Sequence, residues 1–350
     1  MTHSPIARPL HFAFSVATAA LLAACGGNYV ANALVSDTTA TAALHHDANL
    51  VNAWGLAFNP QGFAWVANAG TGTSTLYDGT GVPQSLVVTL NQGSPSGIVF
   101  NGSTAFTITQ AGKTGAAPFI FATLQGQISA WSPTVDGTHA FTVVDESTSG
   151  NAYTGLAIST GGTNMIFAAD FAHGGISVFD GSFAPVTPAG GFTDTTLPAG
   201  YAPFGIQQIG GKIFVAYAKV DTTTHRSAAG AGQGLVDVFD LQGNLLQHLV
   251  GTGGALNAPW GLAMAPANFG KFSNMLLVGN FGDGKINVYD PATGTMAGTV
   301  SNNDGSAIVV PGLWALQFGN NLNSQPGNTL FYTAGPGNEA HGLYGRIDMN

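Results

Sequence analysis

The chain has 350 residues, with 8 Lys+Arg against 17 Asp+Glu, a net charge of −9, one cysteine and only 7% charged residues. An acidic composition without a Lys/Arg run excludes nucleic-acid binding, and a lone thiol excludes intrachain disulfides and cysteine-cluster metal sites. An apolar share of 45% excludes disorder, while 50 glycines among short Val/Ile/Phe runs favour a turn-rich β architecture over helices.

The first element is the apolar stretch 12–27, which ends in Leu22-Ala23-Ala24-Cys25-Gly26-Gly27. It is too short to span a bilayer and resembles a bacterial lipobox. That resemblance implies that residues 1–24 are a lipoprotein signal peptide and that Cys25 is the lipid attachment site, with 25–27 a short tether. Gly26 rather than Asp after the cysteine implies outer-membrane sorting, so the expected location is the cell envelope. No later apolar run approaches the roughly 18 residues of a spanning helix.

Six copies of one pattern follow, with a period near 50 residues. Trp54-Gly55-Leu56-Ala57-Phe58 returns as Trp260-Gly261-Leu262-Ala263-Met264, and looser copies begin at Ser96, Thr154, Phe204 and Trp314. The small residue falls at 55, 97, 155, 205, 261 and 315. A second strand is expected after each copy, at 63–68, 105–110, 165–170, 213–218, 275–280 and 330–334. A third follows at 75–78, 127–131, 175–180, 235–240, 285–290 and 343–348, usually ending in aromatic-Asp. Weaker fourth strands are expected at 84–90, 139–145, 245–250 and 295–300. Within the first strand large residues alternate with Gly and Ala, so one face projects bulk and the other is hollow. Sheets of that kind nest against one another, as in a radial β-propeller.

The sixth copy reaches only its third strand, whereas residues 28–37 form an alternating segment with no copy of their own. The expected fold is therefore all-β, a six-bladed β-propeller of four strands per blade closed by an N-terminal strand, a single domain over 25–350 and a monomer. The repeats resemble NHL-type and YVTN-type propellers. More closely, 49–58, 70–79 and 277–284 resemble an uncharacterised family of secreted bacterial propellers, a likeness that covers nearly the whole mature chain and implies no particular activity.

Five third-strand aspartates, Asp78, Asp180, Asp240, Asp290 and Asp348, mostly precede Gly or Pro turns and are expected to brace backbone N–H groups there. Antiparallel geometry places the loops leading into first strands and those between second and third strands on one face. That face is expected to collect Asn68, Gln110, Asp170 and Asn280 at strand ends, then His173, Asp283, Glu339 and His341 in the loops that follow, with His45, His46, Asp47 and Asn52 before the first blade. Two insertions, 111–118 and 219–234, are expected on the same face, where long loops on a rigid scaffold commonly bind. His45 and His46 are adjacent and would point opposite ways in a strand, which suits a solvated loop better than a metal site. Gly112-Lys113-Thr114 lacks a glycine at 107, and Gly93–Gly97 has Pro95 where a nucleophile elbow has serine, so neither phosphate loop nor hydrolase elbow is present.

These features lead to a cell-envelope lipoprotein whose propeller presents a binding surface to a protein or small-molecule ligand, attached to the membrane through Cys25. Asn68, Asp170, Asn280 and the two insertions are expected to form a polar depression at the axis. The alternative, by likeness to six-bladed lactonases, is a hydrolase in which oxygens converge on Ca²⁺, the one cofactor considered.

Overall fold

The computed structural model describes Met1 and residues 29–350, so the lipobox and Cys25 lie outside the described residues. The fold is all-β and propeller-like. Its sheets are built from sets of four strands, each meandering antiparallel from an inner first strand outwards. The first sheet comprises Ala53–Phe58, Ala64–Asn68, Thr73–Tyr77 and Pro83–Leu90. The second comprises Pro95–Phe100, Phe119–Thr123, Gln127–Trp131 and His139–Asp145, joined to the first by a parallel pairing of the two outer strands. The third, Tyr153–Ser159, Met165–Asp170, Gly175–Asp180 and Pro185–Val186, has a very short outer strand. Tyr201–Ile209, Lys212–Val220, Gly234–Phe239 and Leu245–Val250 form the fourth, and Pro259–Met264, Leu276–Asn280, Ile286–Tyr289 and Met296–Thr299 the fifth. The last sheet takes Leu313–Phe318, Leu330–Ala334 and Leu343–Met349 from the C-terminal end, and Tyr29–Ser36 pairs antiparallel with Leu343–Met349 as its outer strand.

First strands touch in a cycle: each packs on the next, and Leu313–Phe318 packs back on Ala53–Phe58. The repeated glycine permits the approach. A Cβ on Gly55 would stand 2.5 Å from the Ser96 carbonyl oxygen, one on Gly97 2.5 Å from the Leu156 nitrogen, one on Gly205 2.0 Å from the Trp260 oxygen and one on Gly261 2.5 Å from the Trp314 oxygen. Gly155 is looser, with its nearest neighbour at 3.2 Å. At the sixth position stands Ala315, and there Thr333 bridges instead, accepting from the Ala315 N–H and donating to the Trp54 carbonyl. Leu56, Ile98, Leu156, Ile206, Leu262 and Leu316 line the axis around a residual cavity of about 20 Å³.

Asp78, Asp180, Asp240 and Asp290 each accept backbone N–H bonds in the turn to the outer strand, for example Thr80 and Val82 onto Asp78 Oδ1 at 2.8 and 2.9 Å. Serine hydroxyl and backbone donors at Ser182 hold the Asp180 carboxyl below the usual range. Asp348 differs: it accepts from Arg346 Nε at 2.7 Å and from Thr329 and Asn32, tying the N-terminal strand to the last sheet.

One expected strand is displaced. Residues 105–110 alternate like a second strand, but Thr107–Gln110 pairs with Lys113–Ala116 in a two-stranded hairpin, turning at Ala111 and Gly112 with positive φ at both. The true second strand is Phe119–Thr123, buried at all five positions. Asn101 secures the excursion by donating from Nδ2 to the carbonyls of Ala105 and Ala117. The hairpin therefore leaves between first and second strands, on the face opposite to the one expected.

Candidate functional site

The face bearing the connections between second and third strands, the upper face here, has an aromatic centre. Trp54, Phe204, Trp260 and Trp314 lie in the first halves of four first strands, and their rings crowd the top of the axis. Trp54 and Trp314 stack at 3.7 Å between centroids, Phe281 stacks on Trp314 at 4.0 Å, and Phe204 and Trp260 meet Trp314 edge-on. Trp260 Nε1 donates across the axis to the Thr154 carbonyl at 2.8 Å, and Trp314 Nε1 donates to Asn52 Oδ1 at 3.0 Å. Trp54 Nε1 is buried and has no hydrogen-bond partner among the described residues.

Over this cluster runs the connection 219–234, held to its own sheet by Ser227–Ala228 pairing with the end of Lys212–Val220. Arg226 on it forms an ion pair with Glu339, from the connection between the second and third strands of the last sheet. Glu339 in turn accepts from Asn52 Nδ2 at 3.1 Å, and Asn52 is the residue that holds Trp314. Arg226, Glu339, Asn52 and Trp314 thus form one chain of polar contacts that fastens the strap over the axis. Burial raises the Glu339 pKa, while Arg226 and Asn52 oppose that rise by favouring the carboxylate. Asn52 and Glu339 both hold positive φ, at 48° and 69°, a conformation uncommon for such residues and retained here by these contacts.

Two cavities flank the strap. One of about 120 Å³ is lined by Trp54, Phe171, Phe204 and Trp314 with Leu124, Ala152 and Thr154, and is bordered by His225, Arg226 and Ser227. An engineered apolar cavity of about 150 Å³ holds benzene, which sets the scale. The other, about 480 Å³, is a groove of Gly282, Gly284, Pro311, Gly312, Gly335 and Pro336 with Phe281, Asp283 and Ala229 along it, a size within the roughly 300–1,000 Å³ of small-molecule sites.

The polar depression expected from Asn68, Asp170 and Asn280 does not form. Asn68 is fully buried and donates to Thr73 and Thr75; Asn280 is fully buried and donates to the Ala255 carbonyl and to Asp283. Asp170 accepts from Asn151, from the backbone N–H groups of Ala152 and Ala172, and from His173. Polar side chains at strand ends have nearby acceptors and donors within reach, which engage the two asparagine Nδ2 groups and the Asp170 carboxylate. Gln110, in the displaced hairpin, belongs to the opposite face. His173 pairs with Asp170, and His341 pairs with Asp37 at 3.0 Å at the end of the N-terminal strand. His45–His46 form a two-residue strand beside Val35–Ser36, and Asp47 accepts from the buried Tyr77 hydroxyl at 2.8 Å, so this segment is not simply a solvated loop. Of the expected residues, Asp283 lines the groove and Glu339 anchors the strap. The hydrolase reading requires acids and amides that converge on one axial point, and among the described residues Asn68, Asp170 and Asn280 are instead engaged with their own turns.

No family model matches the chain. It is 33% identical over 328 residues to the uncharacterized protein R648 of Acanthamoeba polyphaga mimivirus, covering 90% of this chain and 79% of that protein. A second protein of that virus, the uncharacterized protein L690, is 31% identical over 298 residues, covering 81% and 77%. The chain belongs to the family of these two proteins. The family supplies no activity, since both are uncharacterized, and its members named here are viral rather than bacterial. Among solved structures, a chain of the nidogen/laminin complex aligns with 75% of this chain and 82% of its own at TM-score 0.47 and 14% identity. A chain of Kuenenia stuttgartiensis hydrazine synthase aligns over 85% and 83% at TM-score 0.45 and 15% identity.

Proposed function

We propose that this protein is a six-bladed, ligand-binding β-propeller whose upper face takes up a small, flat, largely apolar group, and that Cys25 anchors it in the cell envelope through lipid. The six-blade reading is supported by the cyclic order of first strands and by Tyr29–Ser36 supplying the outer strand of the last sheet. The binding reading rests on one observation above all: the aromatic cavity beneath the Arg226 strap, walled by Trp54, Phe171, Phe204 and Trp314. A concave, mostly apolar space with a few polar groups at its rim is the usual form of a small-molecule site. Arg226, already paired with Glu339, supplies a cation at the rim for an acidic substituent.

Phenol, indole and benzoate are suitable probes. Saturation-transfer NMR on the full chain is expected to show binding of at least one, and Leu124→Trp, which fills the cavity from its edge, is expected to abolish it. Binding that persists unchanged in Leu124→Trp removes the cavity from the proposal. Arg226→Gln should weaken benzoate more than phenol. The anchor is tested separately. Cys25→Ser is expected to abolish incorporation of labelled fatty acid and release the protein from membranes, and continued labelling would reject the lipobox reading.

A further inference from the structure

We propose a binding site for a divalent transition-metal cation of the Zn²⁺ class, formed by Asp194, Asp237 and His248 at the outer part of the fourth sheet and separate from the upper-face cavities. Asp237 lies on Gly234–Phe239 and pairs in register with His248 on Leu245–Val250, so their side chains share one face. Asp194 arrives on the long link between the third and fourth sheets. Candidate ligand atoms of all three lie within 4.8 Å of one another.

Three observations point to a cation. The Asp194 and Asp237 side chains are 3% and 1% exposed, and only the histidine among these partners could carry a compensating positive charge. Two buried carboxylates facing one imidazole leave negative charge uncompensated, and buried charges are ordinarily paired or metal-bound. Asp237 Oδ2 is buried without a hydrogen-bond partner among the described residues. The remaining ligand atoms are already oriented: Thr196 donates its backbone N–H to Asp194 Oδ1 at 2.7 Å and its hydroxyl stands 3.1 Å from His248 Nε2. Asp194 Oδ2 and His248 Nδ1 are thereby turned towards the cluster, as outer partners orient metal ligands.

Spacing and donor type select the class. His248 Nδ1 stands 3.2 Å from Asp237 Oδ1 and 3.4 Å from Asp194 Oδ2. Ligands about 2.1 Å from a tetrahedral zinc lie about 3.4 Å apart. Imidazole with two carboxylates suits Zn²⁺ or Co²⁺, whereas Ca²⁺ takes six to eight oxygens in a wider shell. A bound cation would clip the link carrying Asp194 onto the outer strands of the fourth sheet. A single Nδ1–H shared between both carboxylates is the competing arrangement, and the experiment separates the two.

The full chain, freed of metal with a chelator, is titrated with Co²⁺ followed by visible absorption and with Zn²⁺ followed by calorimetry. One tight equivalent with tetrahedral Co²⁺ bands is expected, together with a shift of the His248 ¹⁵N imidazole resonances on Zn²⁺ addition. Asp194→Asn and His248→Gln should each weaken binding at least tenfold and abolish the Zn²⁺-dependent rise in thermal midpoint. The imidazole shift reads the site in the unaltered protein, so it stands even if a variant misfolds. An unmoved His248 resonance under saturating Zn²⁺, affinities equal to wild type in both variants, or tighter Ca²⁺ than Zn²⁺ binding would overturn the proposal.

Discussion

Gly205→Ala is expected to cost about 3 kcal/mol, the upper end of overpacking, and to lower the thermal midpoint by roughly 10 °C, at about 3 °C per kcal/mol for a chain of this size. The added methyl would sit 2.0 Å from the Trp260 carbonyl oxygen, a backbone atom that cannot turn aside as a side chain can. Relief requires the first strands of the fourth and fifth sheets to separate, and the cycle of contacts passes any such displacement to the neighbouring sheets. Gly155→Ala should cost clearly less, because its nearest neighbour is the Ile206 side chain at 3.2 Å. Gly137→Ala, with nothing within 4 Å, should be near neutral. Equal midpoints for all three variants would show that the glycines do not set the spacing of the sheets.

Removing residues 29–36 should be more damaging. Tyr29, Leu34 and Val35 are at most 2% exposed, and burial of such side chains contributes about 1.5–3 kcal/mol each, so a loss of roughly 6 kcal/mol is expected. Tyr29 also donates to the Phe269 carbonyl at 3.0 Å and stacks beside Phe272. Its loss opens the edge of Leu343–Met349, a template for aggregation. The truncated chain is expected to melt far below the full chain or to aggregate, and a synthetic 28–37 peptide should restore part of the difference. If truncation abolishes expression, the pair Tyr29→Ala and Val35→Ala measures the same contribution. A midpoint unchanged by either would mean that the segment only tethers.

The repeating glycine and the alternation around it made the first strands legible, because a close approach between backbones favours a small residue at each copy, glycine at five and alanine at the sixth. The hairpin of Thr107–Gln110 misled the reading of the second sheet: Thr-Ile-Thr-Gln alternates as a strand should, while the buried run Phe119–Thr123 carries no polar phase to mark it. The sequence draws attention to the polar residues of the upper face, whereas its centre is built on aromatic ones. Trp54, Phe204, Trp260 and Trp314 were visible within the repeats, yet alternation cannot distinguish a ring packed between sheets from one that tops the axis. Asn68, Asp170 and Asn280 have the position and chemistry of site residues, and the fold engages them with their own turns. Arg226 and Glu339 are 113 positions apart, and Asp194, Asp237 and His248 follow no ligand spacing. Such pairs are products of closure, which leaves no local trace in a chain.

The pairing of Tyr29–Ser36 with Leu343–Met349 also determines where the two chain ends emerge. Tyr29 stands opposite Met349 at the rim and packs on Phe269 and Phe272, in the connection between first and second strands of the fifth sheet. That connection belongs to the side away from the aromatic cavity. From Tyr29 back to Cys25 is a reach of at most about 14 Å even when extended. A lipid on Cys25 would therefore act as a short leash fixed at the underside, holding the molecule close against the bilayer with its strap and groove turned outward, where a soluble ligand could approach without competition from lipid.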